Sequence, residues 1–394
     1  MDVYMKIAHL CLANFYIDNY GYQENVLPKM HKLQGHTVII VASTEIFSDN
    51  SRLAYTVAKQ YESSDGIAVQ RLAYCRWLPQ AMVRKIRAYK GLFKALHLAK
   101  PDIIFIHGLQ FLGIVDVVRY LRKSPGVKVF VDNHADYINS ATTWLSRNIL
   151  HRIVYRWCSH QIERYVDTYW ATLPLRGRFM NEMYGVPPNR IRLLELGADD
   201  TYFDVNDKSI VRQEIRADLE IDQAAFVIIS GGKIDKKKNI HLLAKAIDMV
   251  SDRPIILILF GKFSADMIDV KKAIEQQNNV VYVGWKSQHE IYRLLQAADL
   301  GVFPGTHSVL WEQSCGVGLP CLFKKWPGID HLGADGNCEY LDDISVEGIA
   351  DTIVRIYESP SKLRRMKYAA IAKGVRRFSY SNIAKRAIRS CECE

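Results

Sequence analysis

The stretch AFVIISGGKIDKKKNIHLLAKAIDMVS (225–251) is the most informative part of this chain for its architecture. It begins with an apolar run rich in β-branched residues, passes through two glycines and a short basic loop, and continues with helical spacing of its apolar residues. Apolar runs of this length that alternate with helices are typical of parallel strands buried on both faces of a sheet. The stretch therefore predicts one strand–loop–helix unit of a doubly wound α/β domain.

The same unit recurs on both sides of this stretch. The predicted strands are KIAHLCLA (6–13), HTVIIVAS (36–43), DIIFIHG (102–108), KVFVDNH (128–134), TYWATL (168–173), AFVIISGG (225–232), IILILFG (255–261), VVYVGW (280–285), LGVFPG (300–305) and PCLFKK (320–325). The predicted helices lie at 24–35, 83–100, 115–124, 239–251, 289–299 and 346–359. A chain of 394 residues is too long for one ordinary core and suits two domains.

Turn-forming residues interrupt the pattern at 203–210. We therefore predict a Rossmann-like domain over 1–205, a second over 206–375, and a closing helix at 376–394 that packs back onto the first domain. Open parallel sheets bind ligands beyond the carboxyl ends of their strands. We expect the two sheets to face each other across a cleft, with the chemistry directly after the strands.

Composition excludes several classes of protein. Apolar residues make up 49% and charged residues 24% of the chain, so wholesale disorder is excluded. The eight cysteines form no CxxC pair and lie mostly in apolar runs, which predicts reduced core thiols. Cys391 and Cys393 indicate a frayed tail, with metal binding as the alternative. No apolar run approaches the ~20 residues that cross a bilayer, and the first residues lack a signal-peptide pattern, so we expect a cytoplasmic protein.

Positive charge is concentrated in the first half of the chain. The net charge is +10, and no acid occurs between Asp65 and Asp102, where eight cationic side chains lie. Such a surface attracts phospholipid, nucleic acid or a phosphorylated acceptor. The segment TWLSRNILHRIVYRWCSHQIER (143–164) interleaves arginines with aromatic residues, which predicts a peripheral contact with an anionic membrane on its inner face. The alternative is an ordinary solvated helix face. No nucleic-acid recognition motif is visible, so we expect no nucleic acid as partner.

The loop after the strand 225–232 favours an anion. Gly232 lets the backbone approach a ligand closely, and Lys233 and Lys238 bring charge to a turn where a helix begins. A pyrophosphate suits this environment, and a solvated basic turn is the alternative. The pattern GxxxxGK[ST] is absent, which disfavours an ATP-hydrolysing loop.

A second cluster lies in FPGTHSVLWEQSCGVGLPCLFKKWPG (303–328). Glu312 lies beside a tryptophan in a predicted short helix, and a buried carboxylate is costly unless it accepts hydrogen bonds. Ribose hydroxyls would supply such donors, and the amides of Ser308 and Val309 are placed to face phosphate. Local pairing of Glu312 is the alternative.

Two histidines follow strands in the first half. His134 comes directly after 128–134 with Asp136 nearby, and His107 ends 102–108. A histidine so placed can donate a hydrogen bond to a sugar or a departing phosphate. A structural histidine is the alternative.

These pieces together resemble glycosyltransferase family 4, the "glycosyl transferases group 1" set with the GT-B fold. The resemblance is carried, in the order of the family's motifs, by GYQENVLPKMHKLQGHTVIIVAS (21–43), GVPPNRIRLLELGADDTYF (185–203), GGKIDKKKNIHLLAKAI (231–247), VVYVGWKSQHEIYRLLQAADLGVFPG (280–305) and FSYSNIAKRAI (378–388).

The resemblance implies a role for each matching residue. Lys233 and Lys238 would hold the donor diphosphate, and Glu312 would accept from the ribose. The backbone at Gly284 and Trp285 would line the base pocket. His134 would face the transferred sugar, and the loop at Gly21 would close over donor and acceptor.

One departure from the family concerns its pair of glutamates. Only the second is present, as Glu312, and Pro304 stands eight residues before it, where the family has the first. The nearest substitutes are His307 and Ser308. The first glutamate touches the sugar in the family, so the identity of the sugar stays open.

The resulting expectation is an enzyme of the hexosyltransferase type (EC 2.4). It would move a sugar from a nucleotide-diphosphate sugar to a lipid-linked or polysaccharide acceptor, with retention, in cell-surface glycan synthesis. Lysines and helix-start amides would stabilise the departing diphosphate, so no divalent ion is expected to be obligatory. The alternatives are a catalytically impaired binding subunit and a sugar-nucleotide epimerase of the same fold.

Overall fold

The computed structural model describes residues 4–48 and 52–389. Cys391 and Cys393, and the end of the predicted closing helix, lie outside the described residues. The strands are β1 (Lys6–Cys11), β2 (Thr37–Ser43), β3 (Glu45–Phe47), β4 (Leu53–Tyr55), β5 (Gln60–Glu62), β6 (Ala68–Leu72), β7 (Ile103–His107), β8 (Lys128–Asn133), β9 (Thr168–Ala171), β10 (Ile191–Leu193), β11 (Phe226–Ile234), β12 (Ile255–Phe263), β13 (Val280–Gly284), β14 (Leu300–Phe303), β15 (Cys321–Lys324) and β16 (Cys338–Leu341).

Fifteen α-helices lie between and after these strands in the described part of the chain. They are α1 (Gln23–Leu33), α2 (Gln80–Ile86), α3 (Leu92–Ala99), α4 (Ile114–Leu121), α5 (Arg156–Ile162), α6 (Pro174–Phe179), α7 (Lys208–Asp218), α8 (Ile240–Met249), α9 (Ile268–Ile274), α10 (Gln288–Ala297), α11 (Leu310–Gly316), α12 (Val346–Tyr357), α13 (Pro360–Ala369), α14 (Val375–Phe378) and α15 (Tyr380–Ala387). A π-helical segment, Ser146–Tyr155, precedes α5, and a 3₁₀ turn, Lys236–Lys238, precedes α8. Within the described ranges, no helix is both long and apolar enough to span a bilayer.

The chain divides into two units, each built on its own sheet. Unit 1 comprises the described residues of 4–195 and 383–389, and unit 2 comprises 196–382. The sheet of unit 1 has the order β10-β9-β8-β7-β1-β2-β6-β5, and the sheet of unit 2 has the order β13-β12-β11-β14-β15-β16. The pairing is parallel throughout both sheets except between β5 and β6. The predicted pair of Rossmann-like parallel-sheet domains is therefore confirmed.

The unit boundary differs from the prediction at 205/206. Residues 196–205 pack in unit 2, because the backbone of Ala198 exchanges hydrogen bonds with Phe378 (2.7 Å) and Tyr380 (3.0 Å). The amide of Asp199 also donates to the hydroxyl of Tyr292 (2.8 Å). Turn-forming residues thus mark a loop within unit 2 rather than the link between the units.

Two further expectations about secondary structure are wrong. The predicted helix 83–100 is broken between α2 and α3, where Arg87 (φ 54°) and Gly91 (φ 87°) adopt left-handed conformations. The strand predicted to end at Gly232 continues to Ile234, because β12 continues beside it in register, with Lys233 opposite Lys262. Lys233 therefore lies on the end of β11 and not in the basic loop.

Candidate active site

Two of the residues singled out from the sequence, His107 and Lys238, lie near the points where the strand order of each sheet reverses. In unit 1 this point lies between β1 and β7, and in unit 2 it lies between β11 and β14. The loops after these strands diverge to opposite faces of the sheet, which leaves a crevice at their carboxyl ends. His107 ends β7, and Lys238 follows β11 by one short turn. The topology thus places both at positions where this fold binds ligands.

Lys238 connects the two loops at the crevice of unit 2. Its ammonium donates to the backbone oxygens of Thr306 (2.6 Å) and His307 (3.2 Å). Gly305 lies so close that a Cβ there would be 2.3 Å from the Lys238 Cα, which explains why this position needs glycine. Burial lowers the pKa of Lys238. A cavity of about 10 Å³ between the loops is lined by Lys238 and Ser308 among others. The lysine charge is therefore held at one place by backbone acceptors.

Glu312 is fully buried on α11 and accepts hydrogen bonds from two imidazoles. Its Oε1 accepts from Nε2 of His307 (2.8 Å) and from Nε2 of His331 (3.0 Å), and its Oε2 lies 3.1 Å from His307 Nε2. Burial alone would raise the pKa of Glu312, but the charges and hydrogen bonds of His307 and His331 outweigh burial and lower that pKa to about 2. Glu312 is therefore an ionised carboxylate, and the two histidines fix its orientation.

A second buried carboxylate, Asp132 in β8, lies at the crevice of unit 1. Its Oδ2 accepts from Gln23 (3.1 Å) and His107 Nδ1 (2.8 Å) and lies 3.4 Å from Nε2 of His134. Burial raises the pKa of Asp132, but His107 and His134 outweigh that effect and lower it. For His134, burial lowers the pKa, but Asp132 and Glu24 outweigh burial and raise it. The contact with Asp132 therefore orients the His134 ring and favours its protonated form.

The histidine contacts continue inward from Asp132 as a buried array. His107 Nε2 lies 3.0 Å from His9 Nδ1, and His9 Nε2 lies 3.0 Å from His31 Nδ1. His31 Nε2 contacts the backbone oxygen of Ala384 in α15 at 2.9 Å, so His31 donates there. Neutral His31 and His9 then each accept from the next ring, which leaves both nitrogens of His107 as donors. The array therefore requires an imidazolium at His107 beside ionised Asp132, or one proton shared between them.

His134 also lines a cavity of about 850 Å³ within unit 1. Its polar lining includes Glu24, Glu45, Arg84, Lys85, Arg87, Asn139 and Ser140, and its aromatic lining includes Phe15, Tyr22, Tyr55 and Tyr155. The cavity has room for a sugar ring with substituents, because small-molecule sites commonly occupy ≈ 300–1,000 Å³. Hydroxyl, amide and aromatic groups together are suited to a carbohydrate.

The other predicted residues are placed as follows. Gly232 (φ 101°) lies beside Lys233 on β11, and Lys233 is exposed. Gly284 (φ 73°) ends β13, and Trp285 after it is 73% exposed. Val309 directly precedes α11, next to Ser308. In unit 1, Gly21 lies in the loop before α1. The structure therefore brings Lys238, His307, Ser308 and Glu312 together within unit 2, and His134 belongs to unit 1.

Sequence reasoning missed Asp132, His9, His31 and His331. His331 lies in a loop with no surrounding motif, so no local signal pointed to it. His9 and Asp132 lie inside predicted apolar strands, and a polar residue in such a run is itself an unusual feature that could have marked them.

Among the residues that the structure describes, two sets of three side chains have a geometry that could hold a metal ion: Glu24, His107 and His134, and His307, Glu312 and His331. In the first set both nitrogens of His107 already contact protein partners, which leaves it no free lone pair. In the second set the imidazoles point their nitrogens at the carboxylate at hydrogen-bond distance. The six cysteines among the described residues are free thiols.

Comparison with known proteins identifies both units. Residues 211–373 match the family model "Glycosyl transferases group 1", and residues 30–197 match "Glycosyl transferase 4-like domain". A curated relative, the lipopolysaccharide core biosynthesis glycosyltransferase LpsD of Rhizobium meliloti, is 24% identical over 155 residues. That match covers 38% of this chain and 45% of the relative, so it spans less than half of the relative's length.

Solved structures share the fold over nearly the whole chain. A glycosyltransferase from Rickettsia africae has a TM-score of 0.66 at 12% identity, covering 98% of this chain and 97% of its own. Anabaena HepE in complex with UDP has a TM-score of 0.65 at 18% identity, with 97% and 98% covered. WaaG, a glycosyltransferase involved in lipopolysaccharide biosynthesis, has a TM-score of 0.60 at 14% identity, with 98% and 100% covered. The predicted GT-B class is confirmed by these likenesses.

Proposed function

Because the chain belongs to the glycosyl transferases of group 1, we propose that it moves a sugar from a nucleotide-diphosphate sugar to a glycan acceptor. The observation that carries this proposal is Lys238, whose ammonium is held by the Thr306 and His307 carbonyls at the crevice of unit 2. An immobilised cation beside a helix start is suited to a diphosphate that gains charge as it leaves.

In this proposal the donor's phosphates bind at Lys238, Lys233 and the first turn of α8. Lysine supplies the positive charge that a divalent ion supplies in other enzymes, so we propose that no divalent ion is obligatory. Lys238 keeps its orientation before and after the bond breaks, which avoids the cost of reorganising solvent around the leaving group. The family resemblance further suggests that the configuration at the anomeric carbon is retained.

Glu312 is the proposed acceptor for the ribose hydroxyls. Each carboxylate oxygen has two lone pairs, and Oε2 contacts only His307 among the described residues, so one acceptor position remains on it. His307, which is partly exposed, and Ser308 take the place of the missing first glutamate near the sugar. The backbone at Gly284 and Trp285 is proposed to line the base pocket, and Gly232, Ser308 and Val309 to approach the phosphates.

In unit 1, His134 is the proposed donor to the transferred sugar. Burial lowers its pKa, but Asp132 and Glu24 outweigh burial and raise it, which favours the protonated ring, in which both nitrogens donate. The loop at Gly21 is proposed to cover donor and acceptor. These roles rest on the motif matches and on the position of His134 at the wall of the large cavity.

The test of this function is Lys238→Met, with Lys245→Met on the exposed side of α8 as the matched control. Calorimetry with a panel of nucleotide sugars first identifies the donor that wild-type protein binds. We expect Lys238→Met to slow nucleotide release from that donor by about 10²–10³-fold and Lys245→Met to leave it unchanged. Equal rates in both variants would remove Lys238 from the reaction. Donor binding without any turnover would support the binding-subunit alternative, and turnover to a free isomerised sugar would support the epimerase.

The acceptor is proposed to be a lipid-linked or polysaccharide glycan of the cell surface. LpsD is named for lipopolysaccharide core biosynthesis and WaaG for lipopolysaccharide biosynthesis, which supports an acceptor of this class. We propose that the enzyme meets this acceptor at the inner face of a membrane.

An exposed face of unit 1 supports contact with that membrane. Leu145, Ile149, Ile153 and Trp157 recur every four residues along the segment that ends in α5, and all are exposed. The neighbouring Trp144 is 72% exposed. Arg147 and Arg152 are exposed on the same segment, so apolar and cationic groups are presented together. A peripheral contact with anionic lipid would bury the apolar side chains and pair the arginines with lipid phosphates.

Flotation with vesicles that contain phosphatidylglycerol tests this contact. Ile153→Asp should reduce the floating fraction, because a charge is placed in the buried part of the interface, and high salt should reduce it further. The matched control is Val115→Asp in α4, which is also an exposed apolar position of unit 1. Equal flotation of both variants would locate the contact elsewhere.

A further inference from the structure

The large cavity of unit 1 presents three cationic side chains that the donor site does not use. Arg84, Lys85 and Arg87 lie at the end of α2 and all line the cavity. The Arg84 guanidinium carbon lies 3.7 Å from the centre of the Tyr55 ring, and Arg84 Nε is buried with no hydrogen-bond partner among the described residues. A buried guanidinium nitrogen without an acceptor is costly, and an anionic ligand would supply the acceptor.

The left-handed break after α2 fixes where these charges point. Arg87 ends α2 at φ 54°, and its Nη1 donates to the backbone oxygen of Gln110 (3.1 Å). The Tyr155 hydroxyl donates to the backbone oxygen of Lys85. The backbone that carries the cations is therefore attached to both neighbouring segments of unit 1, and the site is preformed rather than part of a free chain.

The acids that face the same cavity form no ion pair with Arg84 or Lys85 among the described residues. Glu24 and Glu45 are its acidic lining residues, and Glu45 accepts from the Ser43 hydroxyl (3.0 Å). In the described part of the chain, no carboxylate oxygen lies within 4.0 Å of the charged nitrogens of Arg84 or Lys85. Burial lowers the pKa of Arg87, but the charges of nearby tyrosines and of Glu45 outweigh burial and raise it. Arg84 and Lys85 thus remain available to an anion.

The rest of the lining determines what kind of anion fits. Asn139, Ser140 and Ser146 offer amide and hydroxyl groups, and Tyr22 and Tyr55 offer rings. A volume of about 850 Å³ is far larger than a phosphate ion needs. Planar aromatic faces and neutral hydrogen-bonding groups are suited to a sugar ring attached to the anion.

We propose that this cavity binds a phosphorylated sugar as acceptor, with the phosphate ester on Arg84 and Lys85 and the sugar ring among the tyrosines and the Asn139–Ser140 segment. The proposal rests on the transferase function above and narrows its acceptor to one that carries an anionic group. Guanidinium groups bind phosphate through two parallel hydrogen bonds, which orients the ester and with it the sugar hydroxyls. The lipid headgroup of a membrane is the other source of phosphate, and the test separates the two.

The experiment is calorimetric titration of the full chain, without donor, with glucose 6-phosphate, mannose 6-phosphate and glucose 1-phosphate. Glucose, inorganic phosphate and phosphatidylglycerol vesicles are titrated in parallel. The variants are Arg84→Gln and Lys85→Gln, with the exposed Arg122→Gln at the end of α4 as the matched control. Circular dichroism checks folding, and Lys85, which is exposed, carries the test if Arg84→Gln unfolds.

We expect at least one sugar phosphate to bind more tightly than glucose or inorganic phosphate. Arg84→Gln and Lys85→Gln should each weaken its binding about tenfold, and Arg122→Gln should not. The proposal is overturned if none of the sugar phosphates binds, if both variants bind as wild type does, or if only the vesicles bind. The Lys238→Met variant should still bind the sugar phosphate and should no longer bind UDP. If wild-type protein binds a sugar phosphate but does not bind UDP, the donor site is contradicted and the cavity proposal stands.

Discussion

Asp132 in unit 1 and Glu312 in unit 2 are similar carboxylate–imidazole clusters that are positioned by different kinds of secondary structure. Both carboxylates are fully buried, both contact two imidazoles, and the imidazoles lower the pKa of both. Glu312 receives its partners from two loops, at positions 307 and 331. Asp132 lies inside a strand, and one of its partners, His107, ends the neighbouring strand. The Asp132 cluster is therefore fixed by sheet register, and the Glu312 cluster is fixed by loop conformation.

The two clusters also differ in how far they reach. Contacts from Asp132 run through His107, His9 and His31 to the backbone of α15, near the end of the chain. The side-chain hydrogen bonds of Glu312 reach only its two histidines among the described residues, and His307 continues through its backbone oxygen to Lys238 (3.2 Å), which also lies in unit 2. We infer that protonation or mutation in unit 1 spreads to the C-terminal helix, whereas changes at Glu312 stay local.

The largest expected effect is on acid stability. Burial lowers the pKa of His31 from 6.5 to about 3 and also lowers that of His9. Both histidines are neutral in the folded protein and become charged on unfolding. The free energy of unfolding therefore decreases as the pH falls below 6.5, by about 4 kcal/mol or more in total. The pKa of Glu312 is lowered to about 2, so the stability that this carboxylate contributes is lost only as the pH falls below 4.5. Unit 1 should therefore open before unit 2 between these values.

Hydrogen exchange followed peptide by peptide, at about pH 5 and about pH 7, measures this order after correction for intrinsic rates. His134 does not offset the loss, because its raised pKa adds stability that is already complete below 6.5. His241 of unit 2 also has a pKa lowered by burial, but it is partly exposed, so its share is smaller. Earlier opening of the unit 2 peptides would contradict the assignment of neutral His9 and His31.

The next effect comes from Asp132→Asn, which keeps the size of the side chain and removes its charge. His107 and His134 lose the anion they contact, and a buried cation without its partner costs about 3 kcal/mol or more. Urea unfolding measures the loss, with the exposed Asp65→Asn as matched control. A change of less than about 1 kcal/mol would mean that the shared proton already makes the pair neutral.

The sequence located ten of the fourteen described strands of the two sheets, because each of the ten is a short apolar run between turn residues, and it missed β5, β6, β10 and β16. Most ends differ from the structure by one or two residues, as for 128–134 against β8 at Lys128–Asn133. The motif at 231–247 located Lys238 for the same reason, since the loop after a strand is a local feature.

The Asp132 cluster was not predictable, because its residues come from β1, α1, β7 and β8. Which of them meet depends on strand order and register, which periodicity does not contain. The break after α2 was missed for a different reason. The apolar pattern continues on both sides of Arg87 and Gly91, and only tertiary contacts such as that of Arg87 with Gln110 select the left-handed conformation.

Glu312→Gln tests the loop-supported cluster and should cost about 2 kcal/mol, because two charge-assisted hydrogen bonds become weaker ones. Unlike Asp132→Asn, it should leave hydrogen exchange in α15 unchanged. If Glu312 accepts from ribose, the donor's KM should rise more than kcat falls. The exposed Glu347→Gln of unit 2 is the control. An equal change in α15 exchange for both variants would abolish the distinction between local and extended clusters.

The smallest expected effect comes from Trp170→Phe, which tests whether the histidine array alone holds α15 on unit 1. Trp170 Nε1 donates to the backbone oxygen of Ala387 (2.9 Å), one turn beyond the Ala384 oxygen that His31 contacts. Trp170→Phe removes that donor and keeps an aromatic ring, so it should cost about 1 kcal/mol. Exchange should rise about fivefold in the last turn of α15 and stay unchanged at Ala384, because His31 still binds there. A rise across the whole helix would show that Trp170, and not the array that begins at Asp132, holds this end of the chain.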